Sequence, residues 1–155
     1  MPSAPTVVRA NIMPTRSRKE GATNQDARRS MSGGTATIAY LGLGSNLGDR
    51  CASLREALDR LEDSGLRIRK VSSIYESAPV GPVRSQPDFF NAVVAVETTQ
   101  SPQGLLETCL AVERAMGRVR DVPQGPRNID IDVLLVGNVV GRWAELIVPH
   151  PELKN

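Results

Sequence analysis

The chain has 155 residues with a formal net charge of +2, enough length for one domain with its own core. No apolar run approaches the ~20 residues that span a bilayer, and the two cysteines, Cys51 and Cys109, form no C-x-x-C and have only His150 for company, which excludes a disulfide framework and a zinc site. The charge is uneven: residues 1–36 carry six basic and two acidic residues, and the remainder 13 basic and 15 acidic, so the body is near neutral and offers a nucleic-acid partner little attraction.

Residues 1–36 are rich in Ser, Thr, Pro, Gly and Arg and lack apolar periodicity, and they read as a disordered extension. Glu20, Asp26 and the missing amphipathic face weaken a transit peptide, no apolar h-region marks a secretory signal, and Met31 offers a second start. Order is expected from Thr37. Ile38, Tyr40, Leu41 and Leu43 predict a strand ending at Gly42-Leu43-Gly44, and Ser45 or Asn46 is expected to cap a helix with Leu47, Leu54, Ala57, Leu58 and Leu61 as its stripe and Gly65 as its stop. Leu66 to Tyr75 reads as one strand. Residues 76–88, with three prolines and Gly81, read as a functional loop. Phe89 to Thr98 is strongly β. Ser101-Pro102 predicts a cap with proline at the first helical position, and Leu105, Leu106, Cys109, Leu110, Val112 and Met116 form the second helical stripe, ended by Gly117. Ile129 to Val136 is a fourth strand, and Leu146-Ile147-Val148 looks like the start of an edge element with no room to finish. The order βαββαβ is the split βαβ of ferredoxin-like folds, an antiparallel sheet with two helices on one face. Residues 37–155 are thus one α+β domain behind an extension at 1–36. Both cysteines read as small buried apolar groups.

Asp130 and Asp132 are the most informative residues. Two apart in an apolar, β-branched strand, both carboxylates project from one face. A hard cation such as Mg²⁺ between them relieves their repulsion, whereas on an exposed edge the pair only blunts aggregation. Arg118, Arg120 and Arg127 lie just upstream, fixed cations suited to phosphate. Carboxylate-held metal plus arginines is a toolkit for moving phosphoryl groups.

Gly42-x-Gly44-x-x-x-Gly48 has the wrong spacing for a dinucleotide fingerprint and lacks the Gly-Lys-Ser/Thr of a Walker loop; it reads as a tight strand-to-helix turn with glycines at positive φ. Phe89 and Phe90 are adjacent in a chain with two Phe, two Tyr and one Trp, so one packs in the core and the other is a candidate shelf for a flat ring, with Asn91 on the face of Phe89 to bond the ring's edge. His150 is structural or a contact for phosphate or base. Glu113, four residues before Gly117, is a solvated helix carboxylate or the partner of a loop arginine.

These segments together resemble the 6-hydroxymethyl-7,8-dihydropterin pyrophosphokinases of folate synthesis. The resemblance rests on residues 40–50 (Tyr-Leu-Gly-Leu-Gly-Ser-Asn-Leu-Gly-Asp-Arg), 71–77 with 79–82, 86–92 (Gln-Pro-Asp-Phe-Phe-Asn-Ala), 117–120 (Gly-Arg-Val-Arg), 125–132 (Gly-Pro-Arg-Asn-Ile-Asp-Ile-Asp) and 148–151 (Val-Pro-His-Pro), six motifs in family order. It implies transfer of ATP's terminal diphosphate to the dihydropterin hydroxymethyl group, leaving AMP. It further implies two Mg²⁺ ions on Asp130 and Asp132, Arg118 and Arg127 steadying charge on the transferred group, and Arg120 and His150 at the nucleotide. Ser77, Ala78, Val80, Phe89 and Asn91 would form the pterin pocket. A cytoplasmic monomer acting on small molecules, with no membrane or nucleic-acid partner, is the expected setting. The family usually continues past His-Pro-x-x-x-Asn with an Arg, a second aromatic, a strand and a helix, and carries a basic residue and a tryptophan where residues 121–124 read Asp-Val-Pro-Gln. The chain is therefore expected to be a C-terminally truncated copy with reduced or no activity; the alternatives are a degenerate nucleotide- or pterin-binding module and, more remotely, an RNA-binding or regulatory ferredoxin-like module.

Overall fold

Alternating burial builds the sheet. Leu41 and Leu43 of one long strand, and Ala92, Val94 and Val96 of its neighbour, are at most 3% exposed and share a face, as period-two side chains must. The computed structural model describes residues 4–10, 12–14, 34–83, 85–118 and 125–154. In chain order these hold β1 (Thr6–Val8), β2 (Thr37–Ser45), α1 (Arg50–Asp63), β3 (Arg67–Val71), β4 (Ile74–Ser77), β5 (Phe89–Thr98), α2 (Pro102–Ala115), β6 (Asp130–Val136), β7 (Gly141–Trp143), β8 (Leu146–Val148) and a 3₁₀ turn at Pro151–Lys154. The main sheet is antiparallel in the order β1-β4-β5-β2-β6, with β3 also on β5, and β7 and β8 form a separate hairpin. Both helices contribute to one core, through Leu54, Leu58 and Leu61 of α1 and Leu105, Cys109 and Val112 of α2. An α+β fold with two helices on an antiparallel sheet is what the periodicity predicted. Among the described residues no helix is long and apolar enough to cross a membrane.

Several expectations need correction. The extension is not wholly disordered: Thr-Val-Val at 6–8 pairs antiparallel with β4, and Ile12 is 2% exposed within the core. An edge strand presents unpaired backbone groups, and a β-branched segment of the same chain satisfies them. Replacing Ile12 by alanine is accordingly expected to lower stability by about 2 kcal/mol, read as a lower urea midpoint; an unchanged midpoint would deny Ile12 a place in the core. The first helix starts later than predicted. Asp49, not Ser45 or Asn46, is its cap, with Oδ1 accepting from the Ala52 N–H at 3.0 Å, and Leu47 stays outside the helix, 40% exposed. The strand expected over 66–75 is two strands, because the Ser72 backbone N–H and hydroxyl both engage the main chain of Val93 at 2.8 Å and turn the chain between them. The stretch 146–148 is no unfinished edge: it is β8, paired with β7. Ser101 does cap α2, with Pro102 first in the helix. Cys109 is buried, its thiol pushed up to about 12 by burial and then by the charges of Glu113 and Asp132, while Cys51 is only half-buried.

Candidate active site

The strand register assembles the site. Across the sheet face away from the helices, Tyr75 lies opposite Asn91, Asn91 opposite Gly44, and Gly44 opposite Asp130; one step along, Val93 faces Gly42 and Gly42 faces Asp132. Each aspartate thus has a glycine beside it on β2. Neither glycine has positive φ, contrary to expectation; of that run only Gly48 does. Their role is space. A Cβ on Gly44 would sit 3.4 Å from Asn91 Oδ1 and 3.7 Å from the Phe89 ring, and one on Gly42 3.5 Å from Leu134. The missing side chains leave a floor between the strands onto which a ligand can be laid.

Ser77, Ala78, Val80, Phe89 and Asn91 line one cavity of about 330 Å³, with Asp130 and Asp132 at its end. Phe89 is 8% exposed and forms its wall, whereas Val80, 85% exposed, stands at the rim. Asn91 Nδ2 donates to Ser77 Oγ at 2.7 Å and to the Tyr75 carbonyl at 3.3 Å, which leaves its Oδ1 aimed as an acceptor over Gly44.

A second cavity, of about 980 Å³, joins Asp130 and Asp132 to Arg118 and Arg127. Arg118 Nη1 lies 2.6 Å from Asp130 Oδ1 and 2.9 Å from Glu113 Oε1, and Arg127 Nε lies 3.2 Å from Asp130 Oδ2. Glu113 is only 2% exposed, and its Oε1 also accepts from the Ile131 N–H at 2.8 Å. Its carboxylate therefore partners a loop arginine, the second of the two roles the sequence left open, and ties α2 to β6 at the aspartates. Arg127 also stacks over the Phe89 ring, 4.8 Å from its centroid. A third cavity, of about 590 Å³, connects Asp132 to His150, Trp143 and Ile147. The His150 backbone N–H donates to the Leu134 carbonyl at 2.9 Å, and the ring Nδ1 accepts from the Glu152 N–H at 3.2 Å. Asp132 is common to all three cavities. Arg120 lies outside the described residues.

Asp132 carries the electrostatic signature of the site. Partial loss of hydration in the cleft, then the Asp130 carboxylate, pushes its pKa up to about 6, with His150 and Arg127 acting in the opposite sense and Glu113 in the same. Crowded carboxylates gain from a cation. Two aspartates suit Mg²⁺, which binds through one or two carboxylates and takes its remaining ligands from water and phosphate. They do not make an all-protein cage: no cluster of three or more His, Cys, Asp or Glu able to hold a metal occurs among the described residues. In this arrangement Arg118 and Arg127 already engage Asp130, so a metal there shares that carboxylate with them.

Sequence reasoning missed what holds the loops. Asn46, 1% exposed, donates from Nδ2 to Gln86 Oε1 at 2.8 Å and to the Pro87 carbonyl at 2.9 Å; its Oδ1 accepts from the Arg127 N–H at 2.8 Å, and its own N–H donates to the Arg127 carbonyl at 3.1 Å. One buried amide therefore clasps the ring-side loop to the arginine loop. Trp143 and Glu152, which line cavities beside Asp132, were also missed; only the asparagine in Gly-Ser-Asn stood near a recognisable motif.

Comparison with known proteins identifies the family. Residues 40–155 match the family of 7,8-dihydro-6-hydroxymethylpterin-pyrophosphokinase (HPPK). The 2-amino-4-hydroxy-6-hydroxymethyldihydropteridine pyrophosphokinase of Methylorubrum extorquens is 46% identical over 115 residues, 74% of this chain and 72% of the relative. Those of Bacillus subtilis and Aquifex aeolicus are each 44% identical, over 75% and 77% of this chain and 70% and 72% of theirs. With three-quarters of its length aligned at such identity, and with aspartates, arginines and an aromatic wall converging on one cleft, the chain belongs to the HPPK family, whose members are pyrophosphokinases.

Proposed function

We propose that the chain transfers diphosphate from ATP to 6-hydroxymethyl-7,8-dihydropterin in folate biosynthesis, releasing AMP. The dihydropterin hydroxyl oxygen bonds to the β-phosphorus, the bond from that phosphorus to the α,β-bridging oxygen breaks, AMP leaves with that oxygen, and the hydroxyl proton departs. The observation that carries this reading is the convergence on Asp132 of three cavities: one walled by Phe89 and Asn91, one by Arg118 and Arg127, one by His150 and Trp143. A flat ring, a polyphosphate and a nucleotide base have the shapes and charges those walls recognise.

In this reading Ser77, Ala78, Val80, Phe89 and Asn91 take the pterin. Arg118 and Arg127 stabilise charge on the diphosphate in transfer, and His150, with Arg120, contacts the nucleotide. Asp130 and Asp132 hold Mg²⁺, two ions in all. Bound there, Mg²⁺ would neutralise and orient the phosphate chain as a Lewis acid. The protein's own share is positioning: it holds the acceptor hydroxyl and the phosphate chain on one floor and keeps fixed cations where charge shifts. The order β4-β5-β2-β6, with a helix between β2 and β3 and another between β5 and β6, supports a ferredoxin-like βαββαβ sheet. The near-neutral body and the free cysteines support a cytoplasmic setting without nucleic acid, and we read the chain as a monomer.

The test is AMP formation from ATP, followed chromatographically, with and without the dihydropterin and added Mg²⁺. AMP that requires both supports the reading. AMP formed equally without the pterin, or none under any condition while an ATP analogue still binds, overturns it, the latter in favour of a binding module.

A further inference from the structure

Arg50 opens α1 on the opposite side of the sheet from the ring cavity, and neither the motif reading nor the chemistry above gives it a task. Its guanidinium lies 3.6 Å above the centroid of Phe90, while Nη1 donates to Glu76 Oε1 at 2.9 Å and to the Asp88 carbonyl at 2.8 Å. Glu76 and Phe90 are a directly opposed cross-strand pair of β4 and β5. Their immediate neighbours are Ser77 opposite Phe89 and Tyr75 opposite Asn91. Successive strand residues point to opposite faces, so the pair gripped by Arg50 and the residues lining the ring cavity are the two sides of the same short ladder.

We propose that Arg50 is a positioning residue for the ring cavity: by locking the Glu76–Phe90 pair on the helix side, it fixes the height and rotation of Ser77, Phe89 and Asn91 on the other. The need for such a lock follows from where the cavity sits. β4 is four residues long, and β5 begins at Phe89, directly after the proline-rich loop. The ladder between them thus ends at the pocket, where strands fray most easily. A half-exposed ion pair alone contributes little. Stacking on a ring together with a bond to a backbone carbonyl defines an orientation, and only the planar fork of arginine supplies both. The two phenylalanines are then held symmetrically, Phe90 under Arg50 on one face and Phe89 under Arg127 on the other.

The inference rests on reading that cavity as the dihydropterin site, so the experiment includes Asn91→Ala as a control for the reading itself. Steady-state constants and melting temperatures are measured for the parent, Asn91→Ala, Arg50→Met, Arg50→Lys and Phe90→Leu. The expected result is a rise of about tenfold in KM for the dihydropterin in Arg50→Met, with KM for ATP unchanged, a smaller rise in Arg50→Lys, which keeps the charge but not the stacked fork, and a rise in Phe90→Leu. If Asn91→Ala weakens the pterin constant and Arg50→Met does not, Arg50 has no positioning role although the site stands. If Asn91→Ala changes nothing, the site reading itself fails. Equal losses in both KM values and kcat, tracking a lower melting temperature, would make Arg50 a general structural residue and overturn the proposal. Should Arg50→Met not fold, Phe90→Leu, which keeps an apolar side chain at that place, decides on the same criterion.

Discussion

Asp132→Asn is expected to raise the melting temperature of the metal-free protein at neutral pH while lowering AMP formation at least about a thousandfold. Both effects come from one crowded carboxylate. Its pKa stands at about 6 in the folded chain, against 3.8 for the free group, because the cleft removes part of the hydration of a carboxylate that is still exposed and Asp130 adds a like charge. Between those values the folded state binds more protons than the unfolded state, so this group's contribution to stability falls as pH rises from about 4 to about 6 and stays lost above it. Asparagine has no charge to hold there and escapes that loss, but it is a far poorer ligand for a hard cation. The measurement is a pair of thermal scans of parent and variant without divalent metal. The variant should melt higher at pH 7, and the difference should shrink toward pH 4. Melting below the parent at pH 7 would show that Asp132 is not crowded, and turnover within tenfold of the parent would show that it is not a metal ligand.

Arg127→Ala is expected to reduce kcat about a hundredfold to a thousandfold with little change in melting temperature. The backbone of residue 127 is held by Asn46 through both its N–H and its carbonyl, bonds that alanine retains. What the substitution removes is the guanidinium between Asp130 and the Phe89 ring, with its Nη1 bond to the Gly125 carbonyl at 3.2 Å. Arg127→Lys should recover part of the rate, since it restores charge without a planar fork. A kcat within threefold of the parent would remove Arg127 from the chemistry. Arg118→Ala is a less clean probe, because it also withdraws a cation from the buried Glu113 and so perturbs folding together with turnover.

Much of this molecule is legible one residue at a time. Alternation along residues 89–98 and 129–136, the helical stripes of α1 and α2, and the Ser101-Pro102 cap each depend on neighbours within a few positions, and each appears in the structure. The shared face of Asp130 and Asp132 follows in the same way from a spacing of two. Misreadings arose where a distant contact outweighed local preference. Ser72 bonds Val93 and breaks a strand that looked continuous. Asn46, a plausible helix cap, is drawn off to hold Gln86, Pro87 and Arg127. Thr6–Val8 looked unstructured because its partner, β4, lies some seventy positions away.

Local chemistry therefore determined both helices and most of the long strands, which carboxylates share a side, and, through six motifs, the family. Only the three-dimensional packing decided that glycines stand beside both aspartates, that Arg50 and Arg127 clamp neighbouring phenylalanines from opposite faces, and that Trp143 and His150 share a cavity with Asp132. The physical reason is range. Periodicity and capping arise from interactions within a turn or a pleat, whereas strand order, register and loop docking are set by which buried surfaces fit together, and no short window of residues contains that information.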